Sequence, residues 1–315
     1  MDILLQQVLN GLVLGSVYAV IALGYTMVYG ILGIINFAHG DVLMIGAMVS
    51  LTIFGIVDAS YPGAGMWALV IALAVAASVC AALGYSLERI AYRPLRRAPR
   101  LAPLISAIGA SIVLQTLAMI FWGRNPLTYP QPMPAAPFHV IEATGTTPGV
   151  VISPTELLII ATGIAVMAGL LVLVHKTRLG RAMRAIAENP SVASLMGVNA
   201  NVVISLTFMI GSALAALAGV MIAMQYGNAH FFMGFIPGLK AFTAAVLGGI
   251  GNLAGAMVGG LLLGLLEQLG AAYVGELTGG AIGSNYQDVF AFIVLIAVLI
   301  LRPSGLLGER VADRA

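Results

Sequence analysis

The sequence predicts an all-α polytopic membrane protein of about eight or nine transmembrane helices, some of them broken or re-entrant. Three observations carry that prediction. Of 315 residues, 60% are hydrophobic and only 8% are charged, against roughly 25% charged in an ordinary soluble domain. The mean hydropathy is +1.04. The few charges are clustered, and at roughly 20 residues per helical crossing eight or nine spans nearly exhaust the apolar residues. Little is left for a soluble domain, so 1–315 reads as one transmembrane domain.

From Ile3 to Gly40 no Asp, Glu, Lys or Arg interrupts the chain, which places the first span near 4–29. Met1 and Asp2 lack the basic region of a secretory signal, and the apolar stretch after them is too long for one, so this span is expected to be retained. The same argument places spans near 42–57, 66–87, 101–122, 156–174, 202–225, 231–249, 253–273 and 289–301. The second, seventh and ninth are short for a full crossing and are expected to be broken or tilted.

Of the 14 Lys and Arg, five are Arg89, Arg93, Arg96, Arg97 and Arg100, four are Lys176, Arg178, Arg181 and Arg184, and three are Arg302, Arg310 and Arg314. By the positive-inside rule these clusters mark the cytoplasmic side. Two spans separate the two basic loops, and the tail 302–315 follows the last span. The parity then gives an external N-terminus and an internal C-terminus; a full extra segment at 30–41 would move the N-terminus inside. Opposite lie Asp58, Glu142, Glu276 and Asp288, with only Arg124 and Lys240 as cations. The net charge of +2 thus reports topology and gives no nucleic-acid footprint. The external segment 124–154 is rich in proline, with seven of the 14 prolines between Arg124 and Thr155, and carries Glu142, Thr144, Thr146 and Thr147. It reads as a loop or short hairpin, either a spacer or a platform for an external partner.

Between the first two spans, 30–41 (GILGIINFAHGD) gathers Asn36, His39 and Asp41 beside Gly33 and Gly40. Such a cluster at membrane depth suggests a helix break that lines or gates a polar path; the plainer reading has Asp41 capping the second span and Asn36 ending the first. His39 has no second His or Cys nearby, so no metal site is expected, and the single cysteine, Cys80, excludes an internal disulfide. A second glycine interruption, 247–264 (LGGIGNLAGAMVGGLLLG), would pair with the first as a transporter's translocation site. Packing explains it more simply, because Gly251, Gly255 and Gly259, Gly260 and Gly264, Gly11 and Gly15, and Gly211, Ala215 and Gly219 are each spaced by four. Glu267 and Lys240 are ionisable residues inside spans, so each needs a partner, water or neutralisation. Glu267 reads either as a proton carrier or as a paired structural acid. The 15 methionines, Met221 and Met224 among them, read as ordinary packing.

The cytoplasmic stretch 176–201 (KTRLGRAMRAIAENPSVASLMGVNAN) is too polar to cross a membrane. Asn189 before Pro190 is a cap and first-turn signature, and Gly197 is a stop, so a short helix is expected over 190–196. Val192, Leu195 and Met196 give it an apolar edge near Arg181 and Arg184. Such a helix fits a groove in another protein or the lipid headgroups, and the residues alone favour neither. Neither of the two lysines sits in a Walker A loop, and no HExxH, GxSxG or cysteine-rich site occurs. No enzyme is expected.

The stretches NGLVLGSVYAVIALGYTMVYGILGIINFAHGDVLMIGAM (10–48), GRAMRAIAENPSVASLMGVN (180–199) and FTAAVLGGIGNLAGAMVGGLLLG (242–264) resemble the permease subunits of branched-chain amino acid ABC importers, the LivH branch, and the likeness extends over essentially the whole chain. The resemblance implies a multi-pass subunit of the bacterial inner membrane. Its partners would be a second homologous permease, two cytoplasmic ATPases, a periplasmic solute-binding protein, a small amino-acid substrate and membrane lipid, with no nucleic acid. It implies no cofactor on this chain, ATP and Mg being held by the ATPases. The helix at 190–196 becomes the coupling helix in a cleft of the ATPase, with Arg181, Arg184, Glu188, Asn189, Pro190, Ala193 and Gly197 at that contact. Asn36, Phe37, His39 and Gly40 fall near the substrate path, with Gly248 and Gly249 as C-terminal counterparts and Glu267 counted beside them. Related permeases serve urea, amides and aromatic acids, and the motifs do not choose among these solutes. The residues themselves also admit a rival, an ion-coupled secondary carrier or channel using Glu267, Asp41 and His39.

Overall fold

The computed structural model describes residues 2–96, 98–99, 101–131, 133, 136–142, 149–277, 287–302 and 304–308. Arg97, Arg100, Thr144, Thr146, Thr147, Arg310 and Arg314 lie outside the described residues. Among those described, the chain is almost wholly helical: α1 (Asp2–Leu32), α2 (His39–Ser60), α3 (Gly65–Leu87), α4 (Leu101–Trp122), α5 (Pro154–Lys176), α6 (Arg178–Glu188), α7 (Pro190–Leu195), α8 (Ala200–Tyr226), α9 (Phe235–Gly248), α10 (Leu253–Leu277) and α11 (Gln287–Leu301). Seven of these helices are long and apolar enough to cross a membrane, with α9 and α11 shorter at 14 and 15 residues. The expected all-α polytopic fold is thus the one observed.

Local chemistry sets the boundaries. Ser153 caps α5 through a reciprocal box: its hydroxyl accepts from the Glu156 amide at 3.1 Å, and the Glu156 carboxylate accepts from the Ser153 amide at 2.7 Å. Asn199 caps α8 by accepting from the Asn201 and Val202 amides, and α8 stops at Gly227, whose φ of 66° is a left-handed conformation. α2 corrects the sequence reading: it is a full 22-residue helix that starts at His39. Asp41 does not cap it. The N-cap is Ala38, with no side-chain cap, and Asp41 lies in the first turn.

α1 is the axis of the bundle, with 94% of its most apolar stretch buried. It is hydrophobic on every side because it is surrounded by protein on every side. α10 lies against it: a Cβ added at Gly11 would come within 2.9 Å of the Leu265 Cα and one at Gly15 within 2.8 Å of the Leu261 Cα, while Gly264 rests directly on the Gly15 backbone. The four-residue glycine spacings are therefore packing seams, except at Gly251, which faces open space in the turn before α10. The seam of α8 works the same way, Gly219 lying on the Leu43 backbone and Gly211 facing the Gly24 carbonyl. α4, only 17% buried along its apolar stretch, presents Ile105, Ile112, Ile120 and Phe121 outward, as suits a lipid-facing helix.

The Pro-rich segment contains a hairpin, β2 (Phe138–Ile141) paired antiparallel with β3 (Val150–Ile152). The Gln6 side-chain amide binds both backbone groups of Val151, fastening this hairpin to α1. A second short pair, β1 (Leu127–Thr128) with β4 (Asn228–Ala229), ties the same end of the bundle to the exit of α8. At the opposite end the chain after α11 folds back on α9, Leu306 and Leu307 donating to the carbonyls of Leu247 and Gly248 at 2.9 Å.

Candidate functional site

The break between α1 and α2 spans 33–38 and begins at Gly33, whose φ of 63° lets the chain reverse. His39 sits beside Gly24, where an added Cβ would lie 2.5 Å from its Nε2. Eight residues of helix separate Gly24 from Leu32, about 12 Å of rise. The break therefore climbs back along α1, and α2 begins about two turns inside its end. Asn36 makes this stable: its carboxamide oxygen accepts from the Ala38 amide at 3.1 Å and from the Tyr92 hydroxyl at 2.8 Å. Both lone pairs are thereby used, and Asn36, 3% exposed, closes the turn.

α9 also starts inside the bundle. Gly234 and Gly238 rest on the backbone of Gly40, a contact that no side chain at those positions would permit. The N-termini of α2 and α9 meet there beside a narrow cleft lined by Tyr25, Phe37, Gly40, Asp41, Gly238 and Phe242, with room for a water or two. Phe242 stands 6.2 Å from Tyr25 and 5.9 Å from Phe37, ring centre to ring centre, and a second small hollow lies beyond it, between Tyr29, Ile35 and Ile250. The three rings close the space between the two hollows. Asp41 is 1% exposed, and its carboxylate accepts from the Gln115 amide at 2.9 Å. No ion pair to Asp41 occurs among the described residues; the positive end of α2 adds to the compensation that the Gln115 amide supplies. His39, 1% exposed, packs against Tyr25 with ring centres 4.5 Å apart, and its Nε2 has no hydrogen-bond partner among the described residues.

The other residues named from the sequence fall elsewhere. Gly248 rests on the Gly255 backbone, and Gly249, at φ 109°, packs against Gly308. Both belong to the α9–α10 hairpin and its contact with the tail; in sequence they lie between Ala245 and Ile250, which line the second hollow. Glu267 of α10 is paired: Lys240 Nζ lies 2.7 Å from one carboxylate oxygen and the Tyr18 hydroxyl donates to the other at 2.9 Å. Lys240 also reaches Asp288 at 2.6 Å. Each intramembrane charge thus supplies the other's counter-ion, which favours the structural reading of Glu267 over the proton-carrier one.

The short helix expected after Asn189 forms. α7 covers Pro190–Leu195, Asn189 accepts from the Ser191 and Val192 amides, and Gly197 has a φ of 84°. Its outward edge is apolar, with Val192, Leu195 and Met196 exposed at 54, 87 and 81%. Arg181, Arg184, Glu188, Asn189, Pro190 and Gly197 share the exposed surface around it. Ala193 does not: it is buried against Met183, Ile186 and Val203, so it anchors α7 to the bundle. The preceding amphipathic helix α6 was missed, although Thr177, which caps it by accepting from the Gly180 amide, and the apolar Leu179, Met183 and Ile186 were signals for it.

Sequence reasoning also missed Glu88, hidden in a run of arginines. It is fully buried, joined to Arg96 by an ion pair and hydrogen-bonded by the Ser205 hydroxyl at 2.6 Å.

Comparison with known proteins fits this architecture. Residues 7–299 match the family described as branched-chain amino acid transport system / permease component. The chain is 48% identical to the high-affinity branched-chain amino acid transport system permease protein BraD of Pseudomonas aeruginosa and 46% identical to the corresponding protein LivH of Escherichia coli K12, in each case over 97% of this chain and 96% of the relative. It is also 30% identical to the ribose import permease protein RbsC of Escherichia coli K12, over 90% of this chain and 82% of that one. No solved structure matches.

Proposed function

Because the chain belongs to the family of permease components of branched-chain amino acid transport systems, we propose that it is the membrane-spanning permease subunit of an ATP-driven importer in a bacterial inner membrane, passing a branched-chain or related small amino acid delivered by a periplasmic binding protein. The observation that carries this is near full-length similarity to two such permeases, 48 and 46% identical. α7, with its exposed apolar edge, is the element that docks into a cytoplasmic ATPase. ATP and Mg belong to two such ATPase subunits, and a second homologous permease completes the path. The end carrying α6, α7 and the Arg96 loop is cytoplasmic and the end carrying the β2–β3 hairpin is periplasmic, with the N-terminus periplasmic and the C-terminus cytoplasmic.

The cleft suits an amino acid chemically. A zwitterion needs a positive end for its carboxylate and a negative group for its ammonium; the N-termini of α2 and α9 offer the first, and Asp41, without an ion-pair partner among the described residues, offers the second. The rings of Tyr25, Phe37 and Phe242 hold the route shut until the helices around it move. The test is mild-detergent purification of the tagged chain from its native membrane, with mass spectrometry of what accompanies it. A related permease and two ATPases are expected, and Leu195→Glu, at an exposed position, is expected to lose the ATPases and keep the permease. Recovery of the chain alone would overturn the proposal.

A further inference from the structure

α3 does not end as an α-helix. It continues through a π turn, Glu88–Tyr92, and a 3-10 turn, Arg93–Leu95. A π turn widens the helix by one residue and re-aims the side chains on it. Here it sends Glu88 toward α8 and Tyr92 toward the break before α2. On one side, Ser205 donates to Glu88 and Arg96 pairs with it, Arg93 Nε standing 3.8 Å away. Arg96 then donates from its other terminal nitrogen to the Asn201 carboxamide oxygen at 2.7 Å. Asn201 lies in the first turn of α8, and its own amide donates to the cap residue Asn199. On the other side, Tyr92, 1% exposed and tilted against Phe208 with ring centres 5.2 Å apart, donates to Asn36.

A buried carboxylate without its partners is strongly destabilising, so Glu88, Arg96 and the start of α8 must move as one body. α7 moves with them: only 196–199 separate α7 from α8, Ala193 is buried against Val203, and Val198 donates back to the Ala193 carbonyl at 3.0 Å. The break at 33–38 is the end the relay reaches: Asn36 holds it through its carboxamide oxygen, which accepts from the Ala38 amide and the Tyr92 hydroxyl, and through its backbone carbonyl, which accepts from the His39 amide at 3.0 Å.

We propose that Asn201, Arg96, Glu88 and Tyr92 form a serial relay across the π turn, carrying displacement of α7 to Asn36 and so to the start of α2 beside the cleft. These are positioning residues, and the inference rests on the reading of α7 as the ATPase contact.

The relay is tested in the whole complex, permeases with ATPases, reconstituted in liposomes with the loaded binding protein, by measuring amino-acid uptake and ATP hydrolysis together. Tyr92→Phe and Asn201→Ala each remove one link while leaving the buried ion pair in place. Each is expected to leave ATPase recovery and stimulated hydrolysis at wild-type level and to lower uptake per ATP by about two- to tenfold, the worth of one hydrogen bond. Because the links are in series, the double variant is expected to lose no more than the worse single one. Losses that multiply, an unchanged ratio, or uptake and hydrolysis falling in proportion would each overturn the relay while leaving the importer standing. A wild-type complex with no ATP-dependent uptake would overturn both.

Discussion

Lys240 and Glu267 show why single residues in this bundle resist interpretation in isolation. They are 27 positions apart on different helices; without Lys240, Glu267 would be a buried charge with no cation beside it among the described residues, and without Glu267, Lys240 would keep Asp288 as its partner. Removing one partner of a buried pair costs about 3–5 kcal/mol, whereas replacing both by apolar groups costs far less. Lys240→Met is therefore expected to lower the melting temperature in detergent sharply, and Lys240→Met with Glu267→Leu to recover most of the loss; a double variant as unstable as the single one would mean that the pair does more than cancel itself. Asp41 makes the opposite prediction. Asp41→Asn preserves its shape, so the fold is expected to survive while uptake falls by about tenfold or more through loss of a charge-assisted hydrogen bond to the substrate. Full uptake by that variant, measured in the reconstituted complex, would remove Asp41 from the path. Lys240, Glu267 and Asp41 stood out in the sequence because charge is rare there, yet their pairing did not: nothing joins Lys240 to Glu267 and Asp288, or Asp41 to Gln115, until the helices are assembled.

At the scale of the elements, apolar stretches, prolines and glycines announced the helices well. The expected spans 101–122 and 156–174 correspond closely to α4 and α5, and Asn189, Pro190 and Gly197 delimit α7 as read. α2 was misjudged at its start, because Asp41 read as its cap when it lies in the first turn, and that turn is buried inside the bundle, with Asp41 held by Gln115 and His39 against Tyr25. The backtracking at 33–38 was not readable either. It depends on Tyr92 meeting Asn36 across 56 positions, a tertiary contact with no periodic trace. The glycines allow a direct check of the packing argument. Gly264→Leu is expected to drive α10 from α1 and leave the protein aggregated on size-exclusion chromatography, since its added Cβ would meet the Gly15 backbone, whereas Gly169→Ala on α5 meets open space and is expected to be neutral. Equal tolerance at both sites would contradict the seam.

At the scale of the whole molecule, one central helix carries the structure, and two helices that begin inside the bundle carry the cleft. α1 is enclosed by α5, α6, α8, α9 and α10. α9 and α11 are too short for a full ~30 Å crossing as straight helices. That shortness brings the start of α9 to Gly40, and broken helices of this kind are where transporters place their sites. The most direct test of the account is uptake of labelled leucine into liposomes holding the purified complex, with the binding protein outside and ATP inside. The account predicts uptake that requires ATP, the ATPase subunits and the binding protein together. Uptake by this chain alone, driven by a proton or sodium gradient and indifferent to ATP, would contradict it.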